Sequence, residues 1–418
     1  MTETGTDGTL FLAVIYLLVG GVAFLLHSKP ATQKKIGLFL TTATLLEGFL
    51  LRRVDPTGSA RLTLALAAGL SIFADEPGEG SEMIPLILTL SGLGFGFLGG
   101  NGEGLSLLFY AGILALLILI FRRYRREASP PGAGIGLAFA GIFLLATSVA
   151  SPPPFPEIAL CAAFALFLPL FPLHGIYQAA LTDTPGSLPV FLAVLLPIVG
   201  LHGILALRVD IPPTILQMIS ALAVAGVVYG SLKASLDSRM APLFAYAGLA
   251  FFSTLWWYLS KLAKSGLSPE HAPSYAASIA VATSGLLLAS RQLQLRYGSF
   301  DIEKLGGLAR EMPRFGTLLV LLATAGMGLP LFGPFTGFMK MTAQTVGFSS
   351  WEIGFILLAW FFASCHFTLL IQRLLLGPPR LGLIYKDLQG SEIFPLVVAL
   401  FWLLLSGIFP SFLFGPGG

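Results

Sequence analysis

Four ionisable side chains, Lys340, His202, Lys233 and Glu47, fall within or at the ends of long apolar runs in this 418-residue chain. A charged group at the centre of a lipid-embedded helix costs at least about 2.5–3.5 kcal/mol, so its presence calls for a functional explanation. The chemistry open to lysine, histidine and glutamate in that setting is proton exchange, and histidine titrates near neutral pH. The two cysteines, Cys161 and Cys365, lie far apart in apolar runs, which argues against a cysteine-ligated cluster or a disulfide framework within the chain. No Gly-rich nucleotide loop follows a strand, and neither a Walker motif nor His/Cys metal spacing occurs. No metal site or cofactor is expected in this chain, and any redox chemistry belongs to a partner.

The elements that position such groups must be transmembrane helices. Hydrophobic residues make up 55% of the chain and charged residues only 11%, where a soluble domain carries roughly 25% charged. A bilayer core takes roughly 20 apolar residues per helix. Apolar runs fall at about 9–27, 36–52, 61–74, 84–100, 104–121, 133–150, 157–173, 187–207, 213–232, 242–260, 272–290, 315–346, 351–376 and 393–413. The reading is an all-α integral membrane protein of about fourteen spans, a single polytopic domain over 1–418. Glu3 and Asp7 precede the first run in place of a basic region, so that run is read as a permanent span and not a cleaved leader.

Basic loops stay cytoplasmic. Of the 24 Lys and Arg, seventeen fall on one set of alternate loops, among them Lys34, Arg122, Arg123, Arg291 and Arg314; six fall on the other, including Arg52, Arg53, Arg61 and Lys261; Lys340 lies within a span. That bias puts both termini outside. The net charge of +3 follows from it, and no basic stripe points to nucleic acid.

Two spans carry helix breakers. Phe167-Leu-Pro-Leu-Phe-Pro-Leu-His174 contains Pro172, with Pro185 further on. Gly326-Met-Gly-Leu-Pro-Leu-Phe-Gly-Pro-Phe-Thr-Gly337 contains Pro330, Pro334 and Gly337. Proline removes a backbone hydrogen bond, and irregular backbone at membrane depth is tolerated only where protein or water covers it. The stretches lie about 160 residues, or about five spans, apart, the spacing of an internal repeat with one broken helix in each half.

From Leu166 to about Lys340 the chain resembles the antiporter-like subunits of respiratory complex I (NADH–quinone oxidoreductase chains M, N and L) and of Mrp-type cation/proton antiporters. The residues that carry the likeness are Phe171-Pro-Leu-His174 with Pro185, Gly226-Val-Val-Tyr-Gly230, Leu243-Phe-Ala-Tyr246, Arg296-Tyr-Gly-Ser-Phe-Asp301, Leu305-Gly-Gly-Leu308, Met312-Pro313, Gly328-Leu-Pro330 and Phe335-Thr-Gly337. The resemblance implies two inverted five-helix repeats, each with a broken helix, in a core over about 84–346, flanked by spans 1–3 at 1–75 and spans 13–14 at 351–413. It also implies a proton path across the membrane's middle, made of a glutamate, lysines and a histidine.

Most of that path is replaced here. Aligned on the resemblance, the first lysine falls on Ile198 and the glutamate near Ala111. A lysine-arginine pair becomes Ala241-Pro242, a histidine becomes Phe251, and a histidine and lysine fall near Ala280 and Ser284. The last charged position falls on Phe338, with Lys340 two residues on, a rotation of about 200° on a regular helix.

The candidates therefore carry competing readings. Lys340 is a protonatable group in a broken helix, or a lysine that snorkels to an interface or pairs with a neighbouring subunit. His202, one turn after Ile198, replaces the lost lysine, or is a buried histidine bonded to a carbonyl. His174 is read as a hinge residue. Lys233 and Asp237 read as a helix-end ion pair, Glu47 as a partner of Arg52 or Arg53 or an interfacial residue, and Trp256-Trp257-Tyr258 as an interface belt. Cys365 and His366 have no assigned role.

Two functions follow. One is an ion-translocating subunit of a complex-I-related assembly, coupled to a partner's redox chemistry and using an impaired or rerouted path. The other is a non-conducting scaffold that docks a partner enzyme; the resemblance adds a further alternative, a membrane component of an inorganic-carbon-uptake or hydrogenase-type complex. The expected partners are other membrane subunits, further antiporter-like chains, a redox or hydrogenase module, and the lipid of an energy-transducing membrane, read as a bacterial or archaeal inner membrane.

Overall fold

Apolar runs without water to solvate them must satisfy their backbone groups internally, and helices result. A computed structural model describes the chain apart from residues 1–2, 27–28, 52–56, 76–81, 125–132, 151, 153–154, 207–210, 266–267, 299–300, 303–304, 346–349, 377–384 and 416–418. The helices are α1 (Glu3–Leu25), α2 (Pro30–Leu51), α3 (Gly58–Ala74), α4 (Met83–Gly99), α5 (Glu103–Arg123), α6 (Ala133–Ala150), α7 (Phe155–Ala165), α8 (Gly175–Thr182) and α9 (Leu188–Ala206). They continue as α10 (Pro213–Leu236), α11 (Met240–Ser265), α12 (Ala272–Tyr297), α13 (Leu308–Glu311), α14 (Pro313–Gly326), α15 (Gly333–Gln344), α16 (Ser350–Ile371), α17 (Gly390–Ile408) and α18 (Pro410–Phe414). Among the described residues there is no strand, only an isolated bridge between Arg239 and Asp301.

Eight of these helices are long and apolar enough to cross a bilayer, and five shorter apolar helices accompany them. The chain forms two compact units, Met1–Ile215 with Leu413–Gly417, and Leu216–Phe412 with Gly418. In the first, α9 packs against α3, α4, α7 and α8, and 78% of its apolar window is buried; in the second, α12 packs against α11, α14, α15 and α17 with 94% buried. At the periphery α1 buries 28% and α16 buries 29%, leaving side chains such as Phe11, Leu18, Trp351 and Phe361 exposed.

Several charges assigned to loops by sequence lie on helices. Arg61 sits in the first turn of α3 and is 1% exposed, and Arg291 is buried in α12, which runs on to Tyr297. A buried guanidinium needs a counter-charge; Arg61 has it in Glu47 of α2, at 3.6 Å. Arg52 and Arg53, the expected partners of Glu47, lie outside the described residues.

Polar clamps fix the helix ends. Both oxygens of Glu392 accept from Arg296 Nη2 at 2.7 Å, and the Asp387 carboxylate accepts from the backbone N–H of Arg314 at 3.0 Å and of Phe315 at 3.1 Å, capping α14. Glu82 accepts from Arg123 at 2.6 Å and from the Tyr124 hydroxyl at 2.8 Å. Burial and the Glu82 carboxylate beside it push that hydroxyl up to about 12, so Tyr124 stays a donor at neutral pH.

Candidate functional site

In the first unit the interrupted helix is α7 followed by α8. Phe167 and Leu168 both donate to the Phe164 carbonyl, at 3.1 and 2.9 Å, so the chain tightens as it leaves α7. Pro169 and Pro172 bring no N–H, and the Phe171–Pro172 peptide is cis. The Tyr110 hydroxyl of α5, fully buried, donates to the Ala163 carbonyl at 2.6 Å. Gly200 of α9 faces the break, where a Cβ would stand 2.5 Å from the Leu168 backbone nitrogen. His174 stacks on Phe171 at 6.0 Å and immediately precedes the first turn of α8.

The second unit repeats the device between α14 and α15. Gly328 has φ +71°, and Leu331 has φ +85°, a region L side chains rarely adopt. The Leu331–Phe332 backbone lies on Gly407 of α17, where a Cβ would come within 2.1 Å of the Leu331 carbonyl oxygen. Thr336 donates to the Gly407 carbonyl at 2.9 Å, and a Cβ on Gly337 would stand 2.9 Å from Tyr275 of α12. Pro334 sits in the first turn of α15, where its missing N–H is harmless. Pro330 lies in the linker itself, and Pro185 lies in the turn between α8 and α9.

The ionisable candidates do not converge. Phe338 is 4% exposed and packs on Trp360 at 4.0 Å, with Phe251 on Trp360 at 5.6 Å. Lys340 is half-buried two residues along α15. A cavity of about 10 Å³ lies near Phe251, lined by apolar groups and Thr283, whose hydroxyl donates to the Ile279 carbonyl of its own helix at 3.0 Å. A water needs at least about 10–15 Å³ and two or more polar partners, so this cavity stays dry. Lys233 is exposed at the end of α10, 6.0 Å from the Tyr246 ring, while Asp237 pairs with Arg239 at 3.5 Å and not with Lys233. Glu47 serves Arg61. His202 borders a cavity of about 180 Å³ in the first unit, with the ring edge-on to Phe97 at 5.7 Å.

The structure adds a charged constellation that the sequence does not announce. Glu352 of α16, 7% exposed, accepts from Lys261 of α11 at 2.6 Å, from the Trp257 indole at 2.9 Å and from Ser220 of α10 at 3.3 Å. Trp256, Trp257 and Tyr258 are all buried within the unit and do not form an interface belt: Trp257 serves Glu352, and the Tyr258 hydroxyl donates to Gln344. His366 is buried on α16 beside Phe367 at 4.6 Å.

A helical membrane protein whose two units each carry a discontinuous helix packed on a buried central helix is of the transporter-like class. Residues 136–367, more than half of the chain, match the family described as NADH:quinone oxidoreductase/Mrp antiporter, transmembrane, and the chain belongs to that family. It is 27% identical to NADH-quinone oxidoreductase subunit M of Mycobacterium tuberculosis over 259 residues, covering 60% of this chain and 46% of that protein. The chain thus spans about half the length of curated relatives such as this one. It is 26% identical to NADH-quinone oxidoreductase subunit 13 of Thermus thermophilus, over 98% of this chain and 82% of that one. Its fold superposes on a chain of the Mrp complex from Dietzia with a TM-score of 0.84, at 13% identity, covering 99% and 96%.

Proposed function

We propose that this chain is an antiporter-like membrane subunit of a larger, complex-I-related assembly, derived from a proton or cation translocator and carrying an impaired or rerouted ion path. The observation that carries the proposal is the stack of Phe251, Trp360 and Phe338 beside an intact discontinuous helix. The scaffold of a translocating unit is retained, while aromatic rings occupy positions where the family has charge. Proton transfer needs titratable groups or waters within hydrogen-bond reach of one another, and that stack supplies neither. Partners are inferred from what the relatives are called: subunits of an NADH-quinone oxidoreductase and a component of an Mrp complex. The companions proposed are other membrane subunits, further antiporter-like chains and a redox or hydrogenase module. The chain is proposed to be one membrane domain of about fourteen spans with two inverted repeats, in an inner membrane with both termini outside.

The same aromatic stack favours a second reading, a scaffold that conducts nothing and holds a partner enzyme at the membrane. Purification of the tagged chain from its native membrane tests the subunit role: co-isolation with other membrane subunits is expected, and recovery of the chain alone would overturn it. Reconstitution with proton uptake measured against the partner's turnover tests the path. Lys340, turned about 200° from Phe338, is proposed to lie off that path, so Lys340→Ala leaves the ratio unchanged. Loss of uptake with intact assembly would restore Lys340 to it.

A further inference from the structure

We propose that Trp360 is a plug: its indole, carried in by the peripheral helix α16, fills the break of the second discontinuous helix and shuts water out of that unit's interior. This rests on the reading of an impaired path above and names the side chain that closes it. The indole meets three elements at once. Its six-membered ring lies on Gly328, in the linker between α14 and α15, where a Cβ would overlap it. Gly328 has φ +71°, a conformation open to glycine and strained for other residues. The ring also packs on Phe338 of α15 at 4.0 Å, with planes 30° apart, and meets Phe251 of α11 at 5.6 Å, edge-on. A helix that stops at membrane depth leaves carbonyls of its last turn without intrahelical partners, and protein has to cover them. On the α17 side Gly407 lies against the linker; on the α16 side the cover is Trp360.

Two features mark the indole as a plug and not as permanent core. First, the helix that carries it is lightly held: only 29% of its apolar window is buried, and it runs into a π-helical turn, Gln372–Leu376, a rare geometry that occurs mostly at functional sites. Trp360 itself is half-buried. Second, the interior that it closes is not uniformly apolar. Phe251 touches both the indole and the 10 Å³ cavity that reaches Thr283 on α12. Ser253 on α11 and Ser284 on α12 are fully buried, and their hydroxyls have no hydrogen-bond partner among the described residues. Ring packing, and not a lack of polar groups, therefore keeps this interior dry. A cavity lined only by apolar groups stays empty, whereas one with polar partners takes up water. Space vacated by the indole adjoins the last turn of α14, whose carbonyls supply such partners. A constriction made of rings closes a pathway by excluding water from it.

The test uses the full chain in its complex, reconstituted in vesicles, in a background with Cys161→Ala and Cys365→Ala. Proton leak down an imposed pH gradient, with the partner idle, is read with an entrapped pH-sensitive dye. It is expected to rise at least about threefold in Trp360→Ala and to stay at the parent's level in Trp360→Phe, which keeps an aromatic ring. Phe361→Ala, at a neighbouring position 63% exposed, is expected to leave the leak unchanged. Gly328→Ala, whose Cβ displaces the ring, is expected to leak as Trp360→Ala does. In the second arm, a small water-soluble thiol reagent is expected to label Thr283→Cys only when Trp360→Ala accompanies it. Unchanged leak and labelling in assembled complexes overturn the plug, and so does an equal leak in Phe361→Ala, which would mark a general loosening of α16. Failure of both Trp360→Ala and Gly328→Ala to assemble would assign the indole to folding and overturn it too. A chain recovered without companion subunits sinks the subunit role but leaves the leak difference readable in vesicles of the purified chain, so the two failures are distinguishable.

Discussion

Glu352 shows what a residue's type conveys and what it withholds. As a carboxylate at the start of a span it is conspicuous, yet its partners come from α10 and α11, with Trp257 95 residues away in sequence. Which of several basic residues a buried carboxylate meets is decided by helix packing, and nothing local to Glu352 encodes it. Arg61 and Glu47 repeat the lesson, since the nearer Arg52 and Arg53 are the natural partners on sequence grounds. Removing one member of a buried ion pair strands the other charge, whereas replacing both by apolar groups of similar size is often neutral. Glu352→Ala is therefore expected to cost about 3 kcal/mol, measured as a loss of thermal stability of the purified chain in detergent. Adding Lys261→Met should recover most of that loss. If single and double variants melt alike, the 2.6 Å contact contributes nothing to stability.

At the scale of elements, the interrupted helices were the most legible feature. Proline and glycine at membrane depth have a fixed physical meaning, since each removes a donor or admits a backbone no other residue tolerates, and both runs became breaks. Less legible was what covers them. Tyr110, Gly200 and Gly407 lie on other helices, and a glycine in an apolar span gives no sign of whether backbone or lipid faces it. Gly200 and Gly136 illustrate the ambiguity: the first abuts the Leu168 backbone nitrogen, while a Cβ on the second, in α6, meets nothing within 4 Å. Gly200→Ala cannot be relieved by a rotamer change, because the obstructing atom is main chain. It is expected to destabilise by about 1–3 kcal/mol, and Gly136→Ala to stabilise by up to about 1 kcal/mol through helix propensity. Thermal unfolding of the two variants side by side decides it; equal shifts would mean that α9 does not hold the break at close range.

On the scale of the whole molecule the two units share a device and differ in polarity. Each folds an interrupted helix against a buried helix, but the first keeps a polar cavity at His202 while the second closes around Phe251, Trp360 and Phe338. Composition alone announced the lipid environment and the helical class, because 11% charged residues leave no other solvent for so much apolar surface. It could not announce the asymmetry, which depends on which face of each helix carries the few polar groups. Whether that cavity opens outward depends on the membrane orientation, and orientation rests on a count dominated by a few basic clusters such as Arg122 and Arg123 at the end of α5. Moving Arg61 and Lys261 from loops into buried pairs takes charge from the sparse side of that count and sharpens the bias. The bias makes opposite predictions for two neighbouring helix ends. A phosphatase reporter joined after Leu236, at the end of α10, should be inactive in the cytoplasm. The same reporter after Ser265, at the end of α11, should be active outside. Reversed activities would turn the His202 cavity toward the cytoplasm, whereas equal activities would mean that α11 does not cross the bilayer.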